Sequence, residues 1–309
     1  MRTRDFNALN DLLFKFVFGH EERKAVTLSF INATLQLEGA NAFTDLHFAD
    51  RALEAEEAEG KNSVLDLLCI TNDGTQVNIE VQIQNRQNMA QRSLYYWAKL
   101  YQSSLRKSMA YGTLRRTVAI NLLAYSFLPQ ESFHNVYSLY DSAMTHRLTD
   151  DIELHFLELP KVRRQDLRNM RRLDKWMAFL NNKLSNEEME ELAMSEAAIG
   201  TAWDAIDDYL QDMRRRRRYE AREKYEHDYV SDMQGSREEG RKEGRKEGRK
   251  EGRKEGRKEG RKEGLRLGAQ RTALNLLRMN LPMATVVTAS ELSEEDVRAL
   301  AQEHGISVQ

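Results

Sequence analysis

The feature that most constrains the fold is a pair of alternating segments, VLDLLCI at 64–70 and VNIEVQI at 77–83, separated by a short polar stretch. Apolar and polar residues alternate along the second segment, which indicates a β-strand with one apolar face. The stretch between them contains Asp-Gly, which is typical of a hairpin turn. The other face of the second strand carries Glu80 and Gln82. A charged residue there is ordinary if that face meets water.

The loop length decides which side chains meet across this hairpin. A three-residue loop at 72–74, a type I turn followed by a left-handed glycine, pairs Thr71 with Thr75. Asp66 then stands directly opposite Glu80, and the apolar side chains of both strands share one face. A two-residue Asp-Gly loop would turn Asp66 toward the core, so the apolar pattern rejects it.

Two carboxylates face each other in this register. Their Cβ atoms would lie roughly 4.5–5.5 Å apart, and like charges so placed repel. Two explanations stay open from spacing alone. In the first, the pair lies on an exposed strand face and is solvated, which is the more common situation. In the second, the pair shares a hard cation such as Mg²⁺ with substrate phosphate oxygens.

The segments around the hairpin complete a small α/β pattern. Short helices are predicted within 9–35, the first ending at Gly19, and a further helix over 87–110. Strands are predicted within 41–70, around a Glu-rich segment at 55–63, and at 117–124 and 152–159. From about residue 165 onward the strand signals end and helical segments follow.

The helix over 87–110 shows two stripes at helical spacing. One is apolar and comprises Leu94, Trp97, Ala98, Tyr101 and Leu105. The other is polar and cationic and comprises Arg92, Tyr96, Lys99, Ser103 and Arg106. The cationic stripe is compatible with phosphate tracking and with a solvated face.

The charge distribution divides the chain further. Residues 1–236 hold 30 Lys+Arg against 36 Asp+Glu, whereas 237–264, one REEG followed by six RKEG tetrads, hold 13 against 8. Glycine at every fourth position opposes a helix there, while Glu-Lys pairs favour one. We therefore expect a folded α/β domain at 1–185, a helical extension at 186–236 and a charged rod at 237–264. At 265–309 we expect a small helical module for self-association, with Ser293 as a helix cap.

Composition excludes several classes of protein. With one cysteine, Cys69, the chain has neither a disulfide framework nor a cysteine-based zinc site. The sequence contains no long apolar signal region and no stretch of 18 consecutive apolar residues. We expect a cytoplasmic protein without a membrane partner.

The hairpin resembles a known catalytic motif. An Asp in one strand, a turn, and Glu-x-Gln in the next strand resemble the catalytic hairpin of the PD-(D/E)xK nuclease superfamily, with Gln82 where lysine is usual. The ordered set of segments is similar to the Rpn family of recombination-promoting nucleases and transposase-like proteins over roughly 1–185. The segments are NDLLFKFVFG, SFINATL, DLLCITNDGTQVNIEVQ, RSLYYWAKLYQSSL and VAINLLAYSF.

The resemblance implies a restriction-endonuclease-like α/β core followed by a mostly α-helical extension, and the activity of a metal-dependent DNA endonuclease linked to DNA recombination or mobile elements. Asp66 and Glu80 would hold Mg²⁺, or Mn²⁺ or Ca²⁺ in its place, and Gln82 would occupy the lysine position. Glutamine orients a water or a phosphate oxygen but supplies no positive charge. The alternative is a catalytically inactive nuclease fold that binds DNA or serves as a scaffold.

Supporting roles are predicted for further residues beside the hairpin, namely Asp11, Lys15, Gln91, Arg92, Tyr95 and Tyr96. Asp11 would add a ligand or cap its helix, and Lys15 would contact a phosphate or lie on the surface. Tyr95 is compatible with packing as well as with positioning the active site. The arginines at 214–218 are equally compatible with nucleic-acid binding and with a solvated helix face. A homodimer, paired along the rod, would bring two sites to the two DNA strands.

Overall fold

The computed structural model describes residues 6–49, 52–53, 63–64, 66–85, 87–105 and 108–307, with backbone alone at 52–53 and 63–64. Most of the Glu-rich segment predicted at 55–63 lies outside the described residues, as does Arg106. The chain forms two compact units, Met1–Val230 and Ser231–Gln309.

Helices and strands follow the predicted order. The helices are α1 (Asp11–Phe18), α2 (Lys24–Thr34), α3 (Met89–Ser103), α4 (Arg172–Asn181), α5 (Asn186–Ser195), α6 (Ala197–Gln211), α7 (Met213–Arg278), α8 (Met283–Ser290) and α9 (Glu294–Glu303). The strands are β1 (Leu46–Phe48), β2 (Ala52–Leu53), β3 (Ser63–Val64), β4 (Leu67–Thr71), β5 (Gln76–Gln82), β6 (Thr117–Leu123), β7 (His134–Tyr137) and β8 (Ile152–Glu158). Strand β7 was not predicted from the sequence, because it is a short, partly exposed edge strand without clear alternation.

A mixed six-stranded sheet organises the first unit, with strand order β1-β4-β5-β6-β8-β7. The strands β5, β6 and β8 pair in parallel, and the outer strands pair antiparallel. Helix α3 connects β5 to β6, the crossover that a parallel pair requires. The α/β core with a mostly helical C-terminal region is therefore confirmed.

The hairpin of β4 and β5 has the predicted register. Leu67 pairs with Ile79 and Cys69 pairs with Val77. The turn closes through the Thr71 amide, which donates to Thr75 at 3.0 Å, and Gly74 adopts the left-handed φ of +86°. Glycine is suited to this position because a Cβ there would be strained.

The main hydrophobic core lies on the apolar face of the sheet. Helices α1, α2 and α4 pack there around the fully buried Trp176, whose ring lies 5.6 Å from that of Phe18 and 5.8 Å from that of Phe30. The same cluster includes Leu192 of α5, Ile206 of α6 and Tyr219 near the start of α7. The core thus continues past residue 185.

Helix α3 covers the opposite face of the sheet, where Asn78 and Glu80 of β5 lie beside a smaller apolar cluster that includes Met89, Leu123 and Phe156. Its buried residues are Met89, Ser93 and Leu100, whereas Leu94 is 48% exposed. The predicted apolar stripe is therefore wrong at Leu94, because the helix turns Ser93 rather than Leu94 toward the sheet. The Asn121 side-chain amide of β6 donates to Ser93 Oγ at 2.9 Å, so a polar contact sets the rotation of α3.

The second unit contains residues 231–278 of α7 together with α8 and α9. Its core is formed by Ala273, Leu277, Val286, Val297 and Ala301. The predicted cap is confirmed, since Ser293 Oγ accepts from the Asp296 amide at 3.1 Å. The RKEG tetrads are helical and exposed within α7. None of the described helices combines the length and apolar character needed to cross a bilayer.

Candidate active site

Asp66 and Glu80 meet where the hairpin strands end. The Asp66 amide lies 3.4 Å from Glu80 Oε1, and the Asp66 carboxylate Oδ2 accepts from the Val81 amide at 3.0 Å. The register therefore brings the two carboxylates together. The backbone contact to Val81 fixes the orientation of Asp66 without using its second oxygen.

Glu80 is buried, contrary to the expectation that this strand face meets water. Its exposed fraction is 2%, and Asn78 beside it is equally buried because α3 covers this face of the sheet. Burial, with the nearby charge of Asp66 adding to it, raises the pKa of Glu80 to about 7. The explanation of a solvated acidic pair does not hold for a carboxylate in this position.

Each carboxylate has a cationic partner from a helix. Lys15 Nζ of α1 lies 3.1 Å from Asp66 Oδ1, with 27% of the lysine side chain exposed. Arg92 Nη2 of α3 lies 3.6 Å from Glu80 Oε2, and its guanidinium sits 5.2 Å from the centre of the Tyr96 ring. Lys15 is thus partly buried at the site, which excludes the simple surface role.

A cleft of about 280 Å³ opens at this end of the hairpin. It is lined by Leu9, Asn10, Asp11, Asp66, Val81, Gln82, Ile83, Gln84, Arg92, Arg222 and Glu226. Polar side chains predominate, which is the lining expected of a site for a charged substrate rather than an apolar ligand. Gln82 lies in this wall, two residues after Glu80 on the same strand.

Asp11 lies in the cleft but does not cap its helix. Asn10 is the cap of α1 and accepts from the Leu12 and Leu13 amides. Asp11 Oδ1 instead lies 3.0 Å from Arg222 Nε of α7. The predicted capping role of Asp11 is wrong because the residue before it takes that position.

The remaining predicted residues divide between the site and the outer surface of α3. Arg92 reaches Glu80, and Tyr96 lies beside Arg92. Gln91 and Tyr95 are exposed, and neither is among the described residues that line the cleft. The structure therefore brings together Asp66, Glu80, Gln82, Asp11, Lys15 and Arg92, with Tyr96 behind Arg92.

Several residues of the cleft lining were missed from the sequence, among them three with long polar side chains. Gln84 lies just beyond the predicted hairpin, and Arg222 and Glu226 belong to α7. Arg222 Nη2 pairs with Glu226 Oε1 at 3.1 Å, the i,i+4 spacing that the sequence displays. That spacing indicates an ion pair on a helix, but nothing in it indicates that the pair faces a distant strand.

The donor set fits a hard divalent cation. Two carboxylates are sufficient for Mg²⁺, which is usually held by one or two carboxylates and completes its shell with water and phosphate oxygens. Within the described part of the chain no three His, Cys, Asp or Glu side chains converge as a protein-only cage. The site therefore suits a cation that binds together with a phosphate substrate, and it does not suit structural zinc.

A carboxylate hairpin within a mixed sheet, with a basic residue beside it and helices on both faces of the sheet, is the architecture of a PD-(D/E)XK nuclease. A family model described as PD-(D/E)XK nuclease family transposase matches residues 8–236. The chain belongs to this family. Comparison with curated proteins and with solved structures gives no match.

Proposed function

We propose that this protein is a metal-dependent DNA endonuclease whose active site is the Asp66–Glu80 hairpin. The observation that carries the proposal is the buried Glu80, held beside Asp66, a second carboxylate that lines the polar cleft. A buried carboxylate beside another carries a free-energy cost that a structural role does not require. A shared Mg²⁺, or Mn²⁺ or Ca²⁺, would compensate both charges.

In this proposal Asp66 and Glu80 would hold the cation, and Arg92, 3.6 Å from Glu80 Oε2, would stabilise the ionised form of Glu80. When bound, a divalent cation polarises the scissile phosphate and lowers the pKa of an attacking water. The side chain of Gln82 projects into the same cleft and orients a water or a phosphate oxygen through its amide.

Lys15 supplies the positive charge that Gln82 lacks. Its ammonium lies 3.1 Å from Asp66 although it comes from α1 rather than from β5. An ammonium in this position reaches a phosphate oxygen held beside Asp66 and stabilises the charge that develops there. We propose that Lys15 replaces the lysine usual at the position of Gln82, which accounts for the departure from the superfamily motif.

The substrate and the assembly follow from the same proposal. The family points to DNA as substrate, and its description as a transposase links the chain to mobile elements or recombination. A homodimer would bring one site to each strand of a duplex. Each protomer would then contribute a complete set of Asp66, Glu80, Gln82 and Lys15.

A second candidate function is that of a non-catalytic DNA-binding or scaffold protein. Two observations favour it. Gln82 stands where the superfamily has lysine, and the ion pair of Lys15 with Asp66 neutralises a carboxylate without a metal ion. The two functions differ in one respect that is easy to measure. The scaffold binds DNA equally well with and without a divalent cation and leaves the DNA intact.

Plasmid cleavage by the purified full-length protein tests the proposal. Supercoiled DNA is incubated in Mg²⁺, Mn²⁺, Ca²⁺ or EDTA with wild type, Asp66→Asn or Glu80→Gln. Glu131→Gln is the matched control, because the Glu131 side chain is 88% exposed to solvent. We expect nicking that requires the cation and that only the two hairpin variants lose. Equal nicking by all four proteins would overturn the Asp66–Glu80 hairpin as the active site, and absence of nicking by all four would support the scaffold instead.

A further inference from the structure

The first turns of α7 form one wall of the cleft although they follow the hairpin by more than 130 residues. The Tyr219 hydroxyl accepts from the Asn7 amide at 2.7 Å, and the Glu223 carboxylate accepts from the Asn10 side chain at 2.7 Å. These contacts attach α7 to the start of α1. The segment from 219 to 226 is therefore fixed in place beside Asp66.

The other end of this wall is attached to the catalytic strand. Glu226 Oε2 accepts from the Gln84 side chain at 2.8 Å, two residues beyond Gln82. Asn10 and Gln84 thus hold α7 from two different elements. A wall fixed on both sides keeps its side chains in a constant position relative to the hairpin.

Arg222 occupies the centre of this wall. Its Nε lies 3.0 Å from Asp11 Oδ1 and its Nη2 lies 3.1 Å from Glu226 Oε1, while 38% of the side chain is exposed. A guanidinium carries five N–H donors, and these two contacts use two of them. The planar group is held by two carboxylates within a cleft that it lines together with Asp66 and Gln82.

Arg222 differs from the arginines that precede it on the same helix. The guanidinium of Arg215 lies over the Phe16 ring at 4.6 Å from its centre, and Arg216 pairs with Glu220 at 2.9 Å. Neither lines the cleft among the described residues. Of the basic residues near the start of α7, Arg222 is the one whose position relates it to the hairpin.

We propose that Arg222 binds a phosphate of the DNA backbone next to the scissile one, so that α7 completes the substrate site. This inference rests on the proposed function. A guanidinium fork matches the geometry of a phosphate, and the contacts to Asp11 and Glu226 use only two of its five N–H donors. Without Arg222 the cleft lining would hold three carboxylates, those of Asp11, Asp66 and Glu226, against one cation, Arg92, and this net negative charge would repel a polyanion.

The test measures DNA binding without cleavage. The parent protein is full-length Glu80→Gln, which is titrated in EDTA into a fluorescently labelled duplex at several KCl concentrations. The same titration is repeated with a protein that carries Arg222→Gln in addition to Glu80→Gln. Arg163→Gln is the matched control, because Arg163 also pairs with a carboxylate, Glu131, but 80% of its side chain is exposed. We expect Arg222→Gln to weaken binding about tenfold and to lower the slope of log Kd against log salt by about 0.9, the value for one phosphate contact.

Two partner variants separate phosphate binding from a structural role. If Arg222 binds phosphate, Asp11→Asn and Glu226→Gln each remove a competing negative charge and tighten DNA binding. If the ion pairs serve only to hold α7 in place, both variants weaken binding as Arg222→Gln does, and the inference is overturned. Melting temperatures of all variants show whether the fold is intact.

The outcome also separates this inference from the function on which it rests. Absence of DNA binding by every protein, the parent included, would overturn the proposed function and Arg222 with it. Binding by the parent that Arg222→Gln and Arg163→Gln leave equally unchanged would overturn the role of Arg222 alone. A selective loss with a reduced salt slope would support it.

Discussion

Replacing Glu80 with glutamine removes a buried carboxylate whose ionisation the fold opposes. The fold raises the pKa of Glu80 from its ordinary value of 4.5 to about 7, first by burial and then through the charge of Asp66. Each tenfold change in proton affinity corresponds to about 1.4 kcal/mol, so ionising Glu80 costs about 3 kcal/mol more in the folded protein than in the unfolded chain.

The sign of the pH dependence follows from the direction of this change. Because the folded pKa is the higher one, the contribution to stability is complete below the unfolded value and is lost as the pH rises through the folded value. Between about pH 5 and about pH 8 the wild type should lose about 2.5 kcal/mol of unfolding free energy relative to Glu80→Gln. The carboxylate thus lowers stability at neutral pH, as expected of a group retained for function.

Urea unfolding in EDTA, followed by tryptophan fluorescence, measures this difference. All three tryptophans, Trp97, Trp176 and Trp203, lie in the first unit, so the signal reports on the unit that contains Glu80. Glu131→Gln serves as the control and should follow the wild type at every pH. Parallel pH profiles for wild type and Glu80→Gln would refute the reasoning that burial opposes the charge.

Other predictions concern separate parts of the molecule. Lys15→Gln should lower kcat far more than KM in plasmid cleavage, whereas Lys15→Arg should retain part of the rate, because only the latter keeps a positive charge beside Asp66. His134 and His155 share a 2.9 Å hydrogen bond, and burial lowers their pKa values to about 4 and about 3. As the pH falls below about 6.5, the two histidines take up protons in the unfolded chain but not in the folded one. The free energy of unfolding at about pH 5 should therefore be lower by about 2 kcal/mol for each ring. His155→Gln should lose less unfolding free energy than the wild type over the same pH range. Gly74→Ala should cost about 1–2 kcal/mol in urea unfolding because of its φ of +86°. Sedimentation at micromolar concentration should show a homodimer, and a monomer would exclude pairing along the rod.

The hairpin was predictable from the sequence because its determinants are local. The turn at 72–74 and the alternation of β5 together set the pairing that brings Asp66 opposite Glu80. The helix boundaries at Gly19 and Ser293 were predictable for the same reason, since a C-terminal glycine and a capping serine act on their own helices.

The environment of the hairpin was not predictable, because it depends on elements distant in the chain. The alternation of β5 indicates two faces but not that α3 covers the polar one, and the burial of Glu80 follows from that cover. The same holds for Lys15 and Arg222, whose local patterns are those of ordinary helix surfaces. Their approach to Asp66 and Asp11 is a result of tertiary packing.

In the proposed active site Asp66 and Glu80 share one divalent cation. A titration with Mn²⁺ measures cation binding directly, because the electron paramagnetic resonance signal of unbound Mn²⁺ is lost as the ion binds. The titration is carried out at a pH above the pKa of Glu80 with wild type, Asp66→Asn, Glu80→Gln and Glu131→Gln. We expect one bound Mn²⁺ per chain in the wild type and in Glu131→Gln. In each hairpin variant we expect Mn²⁺ affinity to be at least about tenfold weaker, which corresponds to about 1.4 kcal/mol or more. Equal Mn²⁺ affinity in all four proteins would contradict the claim that the two carboxylates form a metal site.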